Sequence, residues 1–110
     1  MIREENIKGI KLMNGAEIVA DVVEVTETDY VLKDAIFWDL VQLAGGKYDV
    51  KFTPLTIGAQ LPEDAIHDAM DISLPKSAVF FPYTLRAEIL SRYKQLISPI
   101  ALIEPSKIIV

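Results

Sequence analysis

Side chains able to bind a metal ion or transfer a proton are concentrated in a polar segment between residues 60 and 71. The segment contains the chain's only histidine, His67. Its carboxylates are Glu63, Asp64, Asp68 and Asp71. Carboxylate oxygens suit hard cations, but a calcium loop needs alternating Asp or Asn residues, a glycine and a distal Glu, and that spacing is missing. The favoured interpretation is therefore a solvated acidic loop, and we predict no metal site.

A second set of charged residues belongs to a predicted helix over residues 84–97. Arg86, Arg92 and Lys94 lie off its apolar stripe, which is typical of an amphipathic surface helix. Such cations can contact phosphates through charge alone. A plain solvated helix face is the alternative interpretation.

Motifs for catalysis are missing from the sequence. It has no glycine-rich phosphate loop and no nucleophile elbow. It also has no cysteine, which excludes a thiol nucleophile, a thiolate metal site and a disulfide scaffold. We therefore predict a non-enzymatic protein without a cofactor. A hydrolase or nuclease that uses the acidic loop is the remote alternative.

Composition predicts one globular domain over residues 1–110, with 51% hydrophobic residues and a net charge of −5. That charge counts against nucleic-acid binding, although residues 72–110 carry five basic and two acidic side chains. No apolar run reaches the roughly 18 residues of a membrane span. The first nine residues, MIREENIKG, lack an apolar signal core. We therefore expect a cytoplasmic protein without a membrane partner.

Two turn signals organise the first third of the chain into three β-strands. Asn14-Gly15 between apolar runs favours a tight hairpin because both residues tolerate positive φ. Thr28-Asp29 marks the next turn. The third apolar run is long for one strand, so we expect a bend near Asp34. The predicted strands cover residues 7–13, 16–26, 30–43, 47–60 and 72–81. The fourth is one strongly bent strand or two short ones, and the fifth is interrupted at Pro75-Lys76.

The second predicted strand is apolar on both faces, which is unusual for an antiparallel sheet. One face carries Ile18, Ala20 and Val22, and the other carries Val19, Val23 and Val25. Such a strand is normally covered twice, here by its own barrel and by a helix or a neighbouring subunit. The helix is predicted to begin at a Thr84 cap and to end before Pro99. An apolar tail, 98–110, follows.

Five segments, in this order, carry a resemblance to a known family. The opening IKLMNGAEIVADVVEVTETDYVLKDA resembles the first motif of Sm and LSm-type proteins, and ISLPKSAVFFPY falls where their second motif lies. The chain is more closely similar to Sm-like proteins attributed to marine cyanophages. That similarity also covers FTPLTIGAQL, RAEILSRYKQLI and the proline-containing tail.

The resemblance implies an all-β fold, a small and strongly bent five-stranded barrel over residues 7–82. It also implies a closed homo-oligomeric ring, in which residues 53–60 of one subunit pair with residues 77–82 of the next. Such pairing leaves no open sheet edge. The interface residues implied are Phe52, Leu55, Ile57, Val79, Phe80 and Phe81.

Single-stranded RNA binding near the pore is the function that the resemblance implies. Asp29 falls at the family's Asn position, Tyr30 is the residue able to stack a base, and Lys76 keeps the charge of the Arg-Gly position. We accordingly expect a ring that binds RNA, with Arg86, Arg92 and Lys94 as an accessory face, in phage RNA or DNA processing within the host cytoplasm. The alternative is a structural or protein-interaction ring that binds no nucleic acid.

Overall fold

Six β-strands and one α-helix form the part of the chain that the computed structural model describes, residues 4–56 and 69–97. The strands are β1 (Ile7–Leu12), β2 (Glu17–Val25), β3 (Asp29–Gln42), β4 (Tyr48–Thr53), β5 (Met70–Pro75) and β6 (Val79–Tyr83), and the helix is α1 (Ala87–Ile97). The fold is thus mostly β with a C-terminal helix, as predicted. No helix among these residues combines the length and apolarity needed to cross a bilayer.

All strand pairs are antiparallel, and β3 has three partners. Along one side it pairs with β2; along the other, its first half pairs with β5 and its second half with β4. The order continues through β1 to β6. Among the described residues β6 pairs with neither β4 nor β5, so the sheet has six strands and is not closed, and the predicted strongly bent five-stranded barrel is not confirmed.

The sixth strand arises because the region predicted as one strand over residues 72–81 forms two strands, β5 and β6. Within the predicted run of residues 47–60, proline ends β4. The strand ends at Thr53, and Pro54, which has no amide hydrogen, cannot continue the ladder. The edge that the prediction assigned to residues 53–60 is occupied instead by β5, whose residues alternate between partly buried and exposed. Residues 57–60, with Ile57 among them, lie outside the described residues.

The strand region predicted over residues 72–81 is present as β5 and β6, whereas the helix begins later than predicted. The interruption at Pro75-Lys76 is confirmed as a 3-10 turn over Lys76–Ala78 between β5 and β6. The helix begins at Ala87, so Thr84 is not its cap. Leu85, ahead of the helix, is already buried in the core. Most of the acidic loop, with Glu63, Asp64, His67 and Asp68, and the tail 98–110 lie outside the described residues.

The predicted bend in β3 is confirmed at Asp34, whose φ is +54°. The Asp34 amide donates to Oδ1 of Asp71 on β5 at 3.0 Å, and its carbonyl accepts from the Tyr93 hydroxyl of α1 at 2.6 Å. The left-handed conformation is therefore held from the sheet and from the helix together, which compensates its intrinsic cost.

The prediction that β2 is covered on both faces is confirmed. On one side Val19 joins a core cluster that includes Ile7, Ile36 and Tyr93, with Ile89 and Ile97 of α1. On the other side Ile18 and Ala20 pack with Ile10, Leu32 and Ala35. Beyond this doubly buried segment, Val23 and Val25 are exposed. The helix therefore covers only the first half of β2.

Carboxylates crowd the bend in β3, and this crowding makes stability depend on pH. Burial, and next the charge of Asp71, raise the pKa of Asp34; Asp21 acts in the same direction and Lys33 opposes them. Since the folded-state pKa is the higher one, the ionised Asp34 weakens the fold above that pKa. The weakening is relieved as pH falls through it.

We therefore predict that Asp34→Asn raises the urea midpoint at pH 7 and that its advantage shrinks as the pH falls through the raised pKa of Asp34. Glu27→Gln, in the exposed turn between β2 and β3, is the matched control and should change little. Equal stabilisation by Asp34→Asn at every pH would contradict the electrostatic explanation.

Candidate nucleic-acid interface

The three residues that the family resemblance selects, Asp29, Tyr30 and Lys76, come together at one corner of the sheet. The turn between β2 and β3 is closed by Thr26, whose amide donates to the Asp29 carbonyl and whose Oγ1 accepts from the Asp29 amide at 2.9 Å. The Lys76 amide then donates to the Thr28 carbonyl at 2.8 Å, which fixes this turn to the 3-10 turn after β5. We call this place the corner site.

Asp29 presents a carboxylate that is already partly engaged. Its Oδ2 accepts a hydrogen bond from the Ser73 hydroxyl at 2.8 Å. Hydrogen bonds from Ser73 and, less strongly, from Thr28 lower the pKa of Asp29. The group is therefore ionised at neutral pH, so it can accept from the N–H groups of a nucleobase but repels a phosphate.

Tyr30 and Lys76 form a cation–π pair at the same corner. The Lys76 Nζ lies 5.8 Å from the centre of the Tyr30 ring. The ring also packs, partly buried, against the core cluster that contains Leu32. An ammonium held beside an aromatic ring can contact a phosphate while the ring stacks a base, and these are the two sequence-independent contacts of single-strand binding.

The three basic residues predicted for an accessory face, Arg86 just before α1 and Arg92 and Lys94 within it, differ in their partners. Arg92 pairs with Asp49 of β4 at 2.6 Å, and this hydrogen bond lowers the pKa of the Asp49 carboxylate. Lys94 pairs with Glu4. Arg86 has no ion pair among the described residues. Two of the predicted cations are thus neutralised within the chain, and only Arg86 keeps its charge available.

A groove of about 920 Å³ opens between the start of α1 and the hairpin formed by β3 and β4. We call it the helix groove. Its base is a hydrogen-bonded chain in which Trp38 Nε1 donates to the Tyr83 hydroxyl at 3.0 Å, and that hydroxyl donates to Glu17 at 2.5 Å. Burial and the bond to Glu17 raise the pKa of Tyr83, so it stays a donor at every physiological pH. Its rim includes Arg86, Tyr48 and Glu88.

Tyr83 is held in this groove by a glycine in the neighbouring strand. Gly9 of β1 is the partner of Tyr83 in the antiparallel ladder, and a Cβ at Gly9 would lie 2.2 Å from the Tyr83 ring. No side chain fits in that space. The glycine therefore lets the tyrosine ring lie directly across the β1 backbone, which sets the position of the hydroxyl.

The residues predicted for a subunit interface divide into two groups. Phe52 packs against the helix core, with its ring 6.3 Å from that of Tyr93, and Leu55 and Val79 are partly buried against the second core cluster. Phe80 and Phe81 are 62% and 46% exposed on the edge strand β6. Only the second group leaves large apolar surface uncovered.

The acidic loop, for which we predict no metal site, lies mostly outside the described residues. Among residues 4–56 and 69–97, no three His, Cys, Asp or Glu side chains are grouped so that they could hold a metal ion. Asp71, the one loop acid inside this range, bonds to the Asp34 amide.

The sequence patterns missed the helix groove, because its residues are far apart in the chain. Trp38 and Tyr83 are separated by 45 positions, and Tyr83 and Glu17 by 66. One signal was available: a glycine inside a strand often marks a place where another group approaches the backbone closely, and Gly9 does so.

Comparison with known proteins adds no assignment: no protein-family model matches the chain, and no curated protein shows significant sequence similarity to it.

Because the space at Gly9 is filled by the Tyr83 ring, we predict that Gly9→Ala destabilises the protein by about 1–3 kcal/mol, the usual cost of overpacking. Urea unfolding measures the loss. The control is the same substitution in a Tyr83→Ala background, where the ring is gone and the loss should largely vanish. An equal loss in both backgrounds would show that the ring is not the cause.

Proposed function

We propose that this protein is a self-assembling, non-catalytic Sm-like protein that binds single-stranded nucleic acid at the corner site. The observation that carries the proposal is the pairing of Lys76 with Tyr30 on two turns that are hydrogen-bonded to each other. A fixed cation and a fixed ring provide charge and stacking without base-specific readout. RNA is the expected ligand class because of the family resemblance, which is an analogy.

The strand order supports the Sm-like barrel within this proposal. Since β4 and β5 pair with successive halves of β3, they share one position in the sheet. Counted in this way, the sheet has five strand positions: β4 together with β5, then β3, β2, β1 and β6. The bend at Asp34 curves the sheet between those two halves. These features agree with a bent five-stranded barrel.

Unpaired strand edges support assembly of identical copies. Among the described strands, β4 and β5 each pair only with β3, and β6 pairs only with β1. Open edges with exposed apolar side chains favour pairing with another chain. On β6 the exposed rings of Phe80 and Phe81 lie 5.1 Å apart. In the proposed ring, β6 of one copy joins β5 of the next, in place of the residues 53–60 predicted from sequence.

Electrostatics limits the proposed binding to modest affinity. The chain carries a net charge of −5, and Asp29 lies in the corner site itself. A strand of nucleic acid therefore has to place its phosphates on the Lys76 side and its bases toward Asp29. Assembly compensates for a weak single site, because a ring presents several such sites to one strand.

A protein-interaction ring without nucleic acid is the second candidate, and a specific observation favours it. The cations Arg92 and Lys94 are paired with acids of the same chain, while Phe80, Phe81 and Met13 leave apolar surface exposed. The absorbance ratio at 260 and 280 nm of freshly purified protein separates the candidates. A protein-only spectrum together with no oligonucleotide binding would favour this second candidate.

For the corner site, we predict that Lys76→Glu lowers the affinity for single-stranded RNA about tenfold. The change replaces an attraction of about 0.7 kcal/mol, the energy of unit charges about 6 Å apart in water, by a repulsion of similar size. It should also flatten the salt dependence of binding. Fluorescence anisotropy with labelled RNA at low salt measures both effects.

Lys47→Glu, in the exposed turn before β4, is the charge-matched control and should leave the affinity nearly unchanged. An equal loss in the two variants would assign the effect to net charge. No binding by the wild-type protein at low salt would refute the nucleic-acid function.

For the assembly, we predict that Phe80→Glu converts the oligomer into protomers of 12.3 kDa. The side chain is mostly exposed, so the fold of each protomer should survive. Light scattering after size exclusion gives the mass. Val23→Glu, an exposed apolar position on β2, which has a neighbouring strand on each side within the sheet, is the control and should remain oligomeric. A wild-type protein that is a monomer would contradict the proposed assembly.

A further inference from the structure

The corner site is linked to the helix groove by a second concave surface. A pocket of about 410 Å³, which we call the N-terminal pocket, is lined by Tyr30 at one end and by Tyr83 and Thr84 at the other. Tyr83 and Thr84 also line the helix groove. The corner site, the N-terminal pocket and the helix groove therefore adjoin in series, through Tyr30 and then through Tyr83 and Thr84.

Cations without partners occur along these adjoining surfaces. Lys8 lines the N-terminal pocket and Arg86 lines the helix groove. Neither forms a hydrogen bond or ion pair with another side chain in the part of the chain that the structure describes. Together with Lys76 at the corner site, they place a positive charge in each of the three connected surfaces.

The acids along the same path are mostly engaged by other groups. Asp49 is paired with Arg92, and Glu17 accepts the hydrogen bond of Tyr83 and lies 3.8 Å from Lys11. Two further acids complete the lining. They are Glu5 in the N-terminal pocket and Glu88 in the helix groove. With Asp29 at the corner site, three acids without a cationic partner lie along the path beside the three cations. Contacts between these cations and phosphates would weaken as the salt concentration rises.

An exposed aromatic ring stands at the far end of the path. Tyr48, the first residue of β4, lines the helix groove and is 63% exposed. The groove also contains Trp38, whose ring nitrogen is already committed to Tyr83. A base entering the groove would therefore meet aromatic surface there, as Tyr30 supplies at the corner.

We propose that a single strand of nucleic acid bound at the corner site continues through the N-terminal pocket into the helix groove, where Arg86 contacts a phosphate and Tyr48 stacks a base. This inference rests on the proposed nucleic-acid function and specifies where the strand runs. Alternation of cations and aromatic rings along a continuous groove is the arrangement by which sequence-independent binders follow a strand.

The inference predicts that Arg86 matters only for strands long enough to reach it. The test uses the full chain and mixed-sequence single-stranded RNA of about four and about twelve nucleotides. Arg86→Glu should lower the affinity for the longer RNA about tenfold, by loss of one contact and gain of repulsion, and leave the shorter RNA nearly unaffected. Tyr48→Ala should show the same dependence on length.

Two controls keep the outcome interpretable. A negative side chain just before Ala87 is compatible with the positive end of the helix dipole, so Arg86→Glu should fold, and circular dichroism checks this. Lys47→Glu makes the same change in net charge but lines neither surface. Loss of long-RNA affinity in Arg86→Glu but not in Lys47→Glu supports the path.

The experiment distinguishes a wrong path for the strand from a wrong proposed function. If Lys76→Glu weakens both RNAs while Arg86→Glu and Tyr48→Ala weaken neither, the corner site stands and the path is refuted. If the wild-type protein binds neither RNA at low salt, the proposed function is refuted and the path with it.

Discussion

The fold depends on covering both faces of β2. Residues Ile18 to Ala20 are almost completely buried although they alternate between opposite faces of the strand. An antiparallel sheet of this size cannot cover both faces by itself, so one face needs the curvature of the sheet and the other needs α1. Tyr93 connects the helix to the bent sheet. Its ring lies in the core cluster between α1 and the sheet, and its hydroxyl donates a hydrogen bond to the carbonyl of Asp34 at the bend.

The candidate interface follows from the same curvature. β3 bends at Asp34 and thereby pairs with β5 before the bend and with β4 after it. Pairing with β5 places the turn before Asp29 against the turn that contains Lys76. Pairing with β4 places the β3–β4 hairpin beside the start of α1. The corner site and the helix groove therefore have one structural origin, and a change that straightens β3 would disrupt both.

Local patterns in the sequence predict much of this architecture. The features that they do not predict depend on contacts between residues far apart in the chain. Asn14-Gly15, the length of the third strand and the apolar periodicity of α1 correctly place the first hairpin, the bend and the buried helix face. Alternation cannot say which strands pair, so it does not reveal that β4 and β5 share one partner. Nor can it show that Arg92 and Lys94 are neutralised by acids from β4 and from the segment before β1. At the corner, the positions came from the family resemblance, whereas the contact between Tyr30 and Lys76 became visible only in the structure.

The central claim is that the β5 and β6 edges, which have no second partner among residues 4–56 and 69–97 of one chain, are paired between copies. Amide hydrogen exchange measures this directly, because an unpaired edge amide exchanges with water and a paired one is protected. The proposed assembly predicts that the outward-pointing amides of β5 and β6 exchange as slowly as those of β1, which is paired on both sides. Exchange of these edge amides at the rate of the exposed turns, while β1 and β2 stay protected, would contradict it.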